Sequence, residues 1–210
     1  MLTSNKWHPG LLPYVEMIIG VDRSGDESNF PIVYVAVRLR DRALTDNVRK
    51  LVNKRDPRKG MRSEIKSTDL IDKELLYVCK HVHTADYRFK VLGSKEFNQF
   101  KQANSNKPKF ERKLAYSCYR YALMPLLKPG DQVWLCKDLD EDSITFVRNR
   151  LAAEFNVDVR LSEHEGNVVI ADWLAKAIRK GLNRKQETGH HRRTGPHSKV
   201  HSPMKLRRSL

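Results

Sequence analysis

The run Val15-Glu16-Met17-Ile18-Ile19-Gly20-Val21 leaves this chain few folds to choose from. A strand that is apolar on both of its alternations has to be covered on both faces. That places it inside a sheet with helices above and below, and excludes a sheet with one wet face. Asp22 ends the run, and Asp138 ends a second one, Val133-Trp134-Leu135-Cys136-Lys137. Carboxylates at the ends of central strands are costly to pack and useful for holding a hard cation.

The rest of the chain supplies the covering layers. A loose lead-in over 1–14 precedes the first strand, 15–22, and Ser24-Gly25-Asp26-Glu27-Ser28-Asn29 reads as a turn. Phe30 to Leu39 is rich in Val, Ile and Tyr and predicts a second strand, paired with the first as an antiparallel hairpin. A helix over 42–54 stops at Asp56-Pro57, and 55–62 reads as a basic, flexible stretch. A helix over 70–81, a strand over 87–91 and one or two helices over 94–127 follow. In the last of these, Leu114, Cys118, Tyr121 and Leu126 form the expected buried stripe, and aromatics such as Tyr116 and Tyr119 are expected in the core. Pro129-Gly130 turns into a strand over 132–138. A helix over 141–155 has Ile144, Val147, Leu151 and Phe155 on one face, with Asp140 or Asp142 as its cap. A strand over 157–162 and a helix over 168–182 complete an α/β domain spanning 15–182, whose later strands are expected to add by crossovers. Residues 183–210 hold eight Lys and Arg against a single acid, Glu187, and are expected to be a disordered basic tail.

At 210 residues the chain suits one domain with a full core. Its net charge of +15 and pI near 9.9 call for a polyanionic partner, nucleic acid ahead of an acidic membrane surface. The apolar runs are too short and too interrupted to span a bilayer, and Pro9, Gly10, Pro13 and Glu16 break any leader-like segment. Cys79, Cys118 and Cys136 are odd in number and far apart, which fits buried thiols of a cytoplasmic protein better than disulfides or a zinc site. His190, His191, His197 and His201 lie among Lys and Arg without the rigid spacing of metal ligands and read as part of a polyanion-binding arm.

Four acids fall where metal-dependent phosphodiester chemistry needs them. Two divalent ions roughly 3.5–4 Å apart clamp a scissile phosphate, and Mg²⁺ takes oxygen ligands from three or four converging carboxylates. Asp22 and Asp138 sit at strand ends, Asp172 in the first turn of the last helix, and Glu64 in Arg62-Ser63-Glu64-Ile65-Lys66-Ser67. Each has a plainer reading. Asp22 initiates a turn, Asp138 belongs with Asp140, Glu141 and Asp142 at a helix start, Glu64 is a loop acid, and Asp172 pairs with a lysine one turn on. Asp172 shares a helix face with Lys176, Arg179 and Lys180, so the other reading is a metal ligand beside phosphate-binding cations. A second basic stretch, Arg49, Lys50, Lys54, Arg55, Arg58, Lys59 and Arg62, either flanks a substrate groove or is a solvated helix end.

These residues resemble the ribonuclease H-like superfamily in two of its branches. Gly20-Val21-Asp22-Arg23-Ser24-Gly25 is similar to the Gly-Val/Ile-Asp-Glu-Ala-Gly that ends the first strand of type 2 ribonucleases H. Ile65-Lys66-Ser67-Thr68-Asp69-Leu70 loosely resembles their Asp-Ser-Lys-Lys-Leu, and 170–176 their Ala-Ala-Ser-Ile-Leu-Ala-Lys. Asp22-Arg23-Ser24-Gly25-Asp26, Glu64-Ile65-Lys66 and Ala171-Asp172-Trp173-Leu174 also resemble a group of ribonuclease H-like domains built on Asp-Glu-Ser-Gly-Asp, Glu-Leu-Lys and Ala-Asp-Leu.

The resemblance covers roughly 15–182 and implies a mixed five-stranded sheet flanked by helices. It implies an Mg²⁺- or Mn²⁺-dependent endonuclease cutting RNA, an RNA/DNA hybrid or structured nucleic acid by a two-metal mechanism. Asp22, Asp138 and Asp172 would hold the metals, with Glu64 as a fourth catalytic acid. Arg23, Lys66, Lys176, Arg179, Lys180 and the tail residues Arg192 and Arg193 would bind nucleic acid. Two departures stand out. Arg23 replaces a Glu, so Glu64, Asp26 or Glu27 takes over a ligand position or activity is weakened or lost. The Gly-Arg-Gly that reads an RNA–DNA junction is absent. The alternative is a non-catalytic RNA-binding protein on the same fold, associated with the ribosome, which Arg23 and the cationic tail favour.

Overall fold

The computed structural model describes residues 17–39, 43–105 and 109–182, so the lead-in and the basic tail lie outside the described residues. Five strands form one mixed sheet: β1 (Ile18–Asp26), β2 (Asn29–Arg38), β3 (Tyr87–Leu92), β4 (Gln132–Leu135) and β5 (Asp158–Leu161), in the order β3-β2-β1-β4-β5. β1 pairs antiparallel with β2 and parallel with β4, and β4 runs parallel to β5. β3 joins the far edge antiparallel to β2, so of the later strands only β4 and β5 make the expected parallel crossovers.

The long helices are α1 (Ala43–Arg55), α3 (Asp72–His81), α4 (Ser94–Ala103), α5 (Phe110–Leu123), α6 (Glu141–Phe155) and α7 (Gly166–Arg179), and α2 (Pro57–Gly60) is a single turn. Strand alternation sorts the core into two layers. Ile19 and Val21 of β1, with Tyr34 and Ala36 of β2, pack under Leu114, Cys118, Tyr119 and Ala122 of α5 and Ile144, Val147 and Leu151 of α6. Val33, Val35 and Val37 pack on the opposite face against α1, α3 and α7, where Trp173 and Leu174 are fully enclosed. Burying each such side chain contributes about 1.5–3 kcal/mol, and this two-sided burial is what the apolar β1 run requires.

α7 lies along the β1–β2 hairpin and its position is fixed at both ends. A Cβ on Gly20 would stand 2.1 Å from the Asn167 carbonyl carbon and 2.2 Å from the Val168 nitrogen, so the helix backbone rests directly on the strand. Asn167 Nδ2 donates to the Ile18 carbonyl at 2.6 Å, and at the other end Arg179 donates to the Asn29 carbonyl at 2.9 Å.

Several expectations need correction. β1 runs on past Asp22, because Gly25, at φ 96°, absorbs a register shift between Ser24 and Asp26 and the hairpin closes only at Asp26 opposite Asn29. Asp26 then serves that tight turn, accepting from the Ser28 N–H at 2.9 Å and its hydroxyl at 2.6 Å. The stretch 55–62 is ordered: Asp56 caps α2, Arg55 grips the buried Glu74 at 2.7 and 3.0 Å, and Arg62 reaches the buried Asp69 at 2.9 Å. Arg49 donates to the carbonyls of Arg62 and Ser63. α7 begins at Gly166, not 168, since the Glu165 carboxylate accepts from the N–H groups of Asn167 and Val168, so Asp172 lies beyond its first turn. Leu114, Cys118 and Leu126 of the expected stripe are buried and so is Tyr119, but Tyr121 is 55% exposed. Asp140 caps α6 through the Ser143 N–H.

A candidate metal centre at the end of β1

Asp22 is the first residue of β1 beyond its pairing with β4, which ends at Val21 opposite Leu135. Its side chain shares the α7 face with Gly20 and is only 4% exposed. β4 stops at Leu135, so Cys136 and Asp138 lie on the loop that follows and turns beside β1 where its pairing with β4 stops, Cys136 donating its N–H to the Val21 carbonyl at 3.0 Å. Ligand atoms of Asp22, Cys136 and Asp138 all fall within 4.8 Å of one another. Asp172 stands outside that tight group, on the side of α7 that faces the strand's end, and accepts from the Ser67 N–H at 2.7 Å.

The acids feel one another. Burial pushes the Asp22 carboxyl well above the ordinary carboxylate range, and the charges of Asp138 and Asp172 add to that push. Burial also raises Asp172, against the pull of Ser67 and Lys176, and the charge of Glu64 raises it further. The Cys136 thiol is pushed up by burial and then by Asp22 and Asp138. All four expected acids are therefore in electrostatic contact, in a chain Asp138–Asp22–Asp172–Glu64. Such crowding of buried negative charge is costly without a cation.

One cation is already there. Arg23, on the opposite face of β1, donates through Nε to the Asp138 carboxylate at 2.5 Å and through a terminal nitrogen to the Asp138 carbonyl at 3.0 Å. Tyr119 donates to the other Asp138 oxygen at 3.3 Å, and Tyr34 meets the Tyr119 ring edge-on at 4.9 Å. Burial works against the Arg23 charge, but Asp138, with Tyr119 and Tyr34, holds its proton above the ordinary value. Burial raises the Asp138 carboxyl, with Arg23 offsetting part of the rise.

The expected nucleic-acid contacts divide. Lys176 donates to the Ser67 carbonyl at 2.9 Å, Arg179 to Asn29, and Lys180 to the Asp72 carboxylate at 2.6 Å. Lys66 is exposed, whereas Arg192 and Arg193 lie outside the described residues. Glu64 is half-buried and meets His164 Nδ1 at 3.1 Å, in a cleft of about 300 Å³ lined also by Thr45, Arg49 and Trp173. Asp142, once a competitor of Asp138, pairs with Lys109 at 2.6 Å.

Cys136, Tyr119, Tyr34 and His164 were not among the expected site residues. Cys136 had a signal: it stands two residues before Asp138, on the same alternation of the second apolar run. Against expectation, it is a half-exposed thiol inside the acidic group.

No family model and no curated protein match the sequence, whereas solved structures match the fold. A chain of the PCNA:RNase HII complex from Archaeoglobus fulgidus superposes with a TM-score of 0.52 and 17% identity, over 82% of this chain and 78% of that one. Ribonuclease H2 from Pyrococcus horikoshii OT3 gives 0.52 and 18%, over 83% and 78%. Bst-RNase HIII in complex with Mn²⁺ gives 0.54 and 15%, over 83% of this chain and 55% of that one. The chain has a ribonuclease H-like fold, with sequence far diverged from these structures.

Proposed function

We propose that the protein is a divalent-metal-dependent nuclease that hydrolyses phosphodiester bonds in RNA, RNA/DNA hybrid or structured nucleic acid. The observation that carries this reading is the convergence of Asp22 and Asp138, with Asp172 in electrostatic contact, at one end of a ribonuclease H-like sheet. Buried acids that raise one another's proton affinity are short of positive charge, and their hard oxygens fit Mg²⁺ or Mn²⁺. Asp22, Asp138 and Asp172 would hold the ion, which supplies Lewis-acid stabilisation of the phosphate and a more acidic water.

The chain's own residues do the remainder. The Ser67 N–H and the Lys176 ammonium fix Asp172 and the segment beside it. Arg23 and Tyr119 orient Asp138. The exposed Lys66 and the basic tail draw the polyanion in, with an affinity that falls as salt rises.

A second reading, a non-catalytic RNA-binding protein, is favoured by one observation: Arg23 already occupies Asp138. The two separate in one experiment. Purified protein and Asp22→Asn are incubated with labelled RNA, DNA and hybrid, with and without Mg²⁺ or Mn²⁺. Metal-dependent cleavage lost in the variant supports the nuclease, and tight binding without cleavage supports the alternative.

A further inference from the structure

We infer that this centre holds a single divalent ion and that the Arg23 guanidinium takes the place of a second one. The inference rests on the nuclease reading and replaces the two-ion clamp that the strand-end carboxylates predict.

Charge balance is the first argument. Asp22, Asp138 and Asp172, the acids proposed to hold the ion, bring three negative charges when ionised; Arg23 offsets one of them, and Glu64, farther along, sits against His164. One divalent ion offsets the remaining two. A second ion would leave an excess of positive charge beside a guanidinium already seated on Asp138. Geometry is the second argument. Two-metal sites need carboxylates that bridge or face both ions. Asp138 is the acid on the Arg23 side of β1, and both its oxygens are engaged, one by Arg23 Nε at 2.5 Å and one by the Tyr119 hydroxyl at 3.3 Å. Asp22 lies on the α7 face, in electrostatic contact with Asp172, and its carboxylate still comes within 4.8 Å of Asp138. Asp138 thus stands between the guanidinium and the position of one ion shared with Asp22.

The third argument is chemical. A guanidinium cannot ligate water, so activation of the nucleophile belongs to the ion's side. It can donate N–H groups to a phosphate oxygen, with strong charge-assisted geometry. The Arg23 side chain keeps 21% of its surface open and its neighbour Asp138 23%, so the pair is not sealed from an incoming substrate. Arg23 is thus a catalytic residue that stabilises charge developing on the phosphoryl group, as a second ion would.

The test counts ions on the full-length protein, with folding checked by circular dichroism. Free Mn²⁺ is followed by electron paramagnetic resonance during titration, and ions bound by Asp22→Asn are subtracted as the background of other sites. Wild type should bind one Mn²⁺ more than Asp22→Asn. Arg23→Glu, which exchanges the cation for a ligand, should bind two more. Arg23→Ala should lose cleavage by roughly 10²–10³-fold, the scale of a lost transition-state donor, and added guanidinium ion should restore part of it.

Two ions on the wild type, or one on a folded Arg23→Glu, would overturn the inference while leaving a metal nuclease standing. So would full activity in Arg23→Ala. If Arg23→Glu does not fold, the wild-type count and the guanidinium rescue still decide. Equal Mn²⁺ binding by wild type and Asp22→Asn would remove the metal centre itself, and this inference with it.

Discussion

Asp172 on α7 and Asp22 on β1 repel each other, and that repulsion adds to burial in holding the Asp22 carboxyl above the ordinary carboxylate range. The folded state therefore binds a proton at Asp22 more tightly than the unfolded chain, whose carboxyl titrates near 3.9. An acid of this kind destabilises at pH values above its raised folded pKa, and the penalty disappears as pH falls toward the unfolded value. In chelator, Asp22→Asn should melt at a higher temperature than wild type at neutral pH, with the gap closing on acidification. Thermal melts across pH 4–8 check this, and a gap constant with pH would contradict the assignment.

A divalent ion should act on the same balance. Mn²⁺ or Mg²⁺ raises the Tm of the wild type at neutral pH, as any ligand of the native state does, and leaves the Tm of Asp22→Asn nearly unchanged.

Cys136 is half-exposed yet held as a thiol by burial and by Asp22 and Asp138. Because the thiolate is the nucleophile, alkylation by iodoacetamide at pH 8 should be much slower at Cys136 than for a free cysteine. Removing the Asp22 charge lowers the thiol's pKa, so Asp22→Asn should speed the reaction. Mass spectrometry of the Cys136 peptide over time reads both rates.

Trp173 donates its indole N–H to the Ile65 carbonyl at 2.9 Å from a fully buried position. Trp173→Phe leaves that carbonyl unpaired and should cost about 1–3 kcal/mol, seen as a lower urea midpoint with little change in slope. The segment it anchors carries Glu64 and the Ser67 N–H that holds Asp172, so cleavage should fall as well.

The proposed role of the basic tail has its own test. Replacing Arg192, Arg193, Arg207 and Arg208 by Gln should weaken binding to all nucleic acids alike and flatten the salt dependence, because each phosphate contact adds about 0.7–0.9 to the logarithmic slope. Fluorescence anisotropy at several salt concentrations measures it.

Legibility of the sequence followed the range of the forces involved. The apolar β1 run, the α6 bounds at 141 and 155 and the hairpin were readable because burial and capping act over a few residues. Asp22 and Asp138 stood out because acids rarely end buried runs, and Asp172 because it shares a helix face with Lys176, Arg179 and Lys180. The order of 55–62 was hidden, since the acids that hold Arg55 and Arg62 lie farther along the chain, at Glu74 and Asp69. The place of Cys136 is marked only by its two-residue spacing from Asp138, a faint signal beside the burial expected of a lone thiol. The Arg23–Asp138 pair joins β1 to the loop after β4, and no local spacing marks a partner so far along the chain.

The contact between Gly20 and Asn167 has its own test. A methyl at position 20 would press into the backbone of α7, so Gly20→Ala should destabilise by at least about 1–3 kcal/mol, with a matching drop in Tm.

That same contact works as a stop against sliding. An α-helix advances about 1.5 Å and turns roughly 100° per residue, so a slip of one position along the hairpin would swing Asp172 off the strand's end altogether. The spacing of the clustered acids is thus gauged by a hydrogen atom on a glycine, a part with no chemistry of its own.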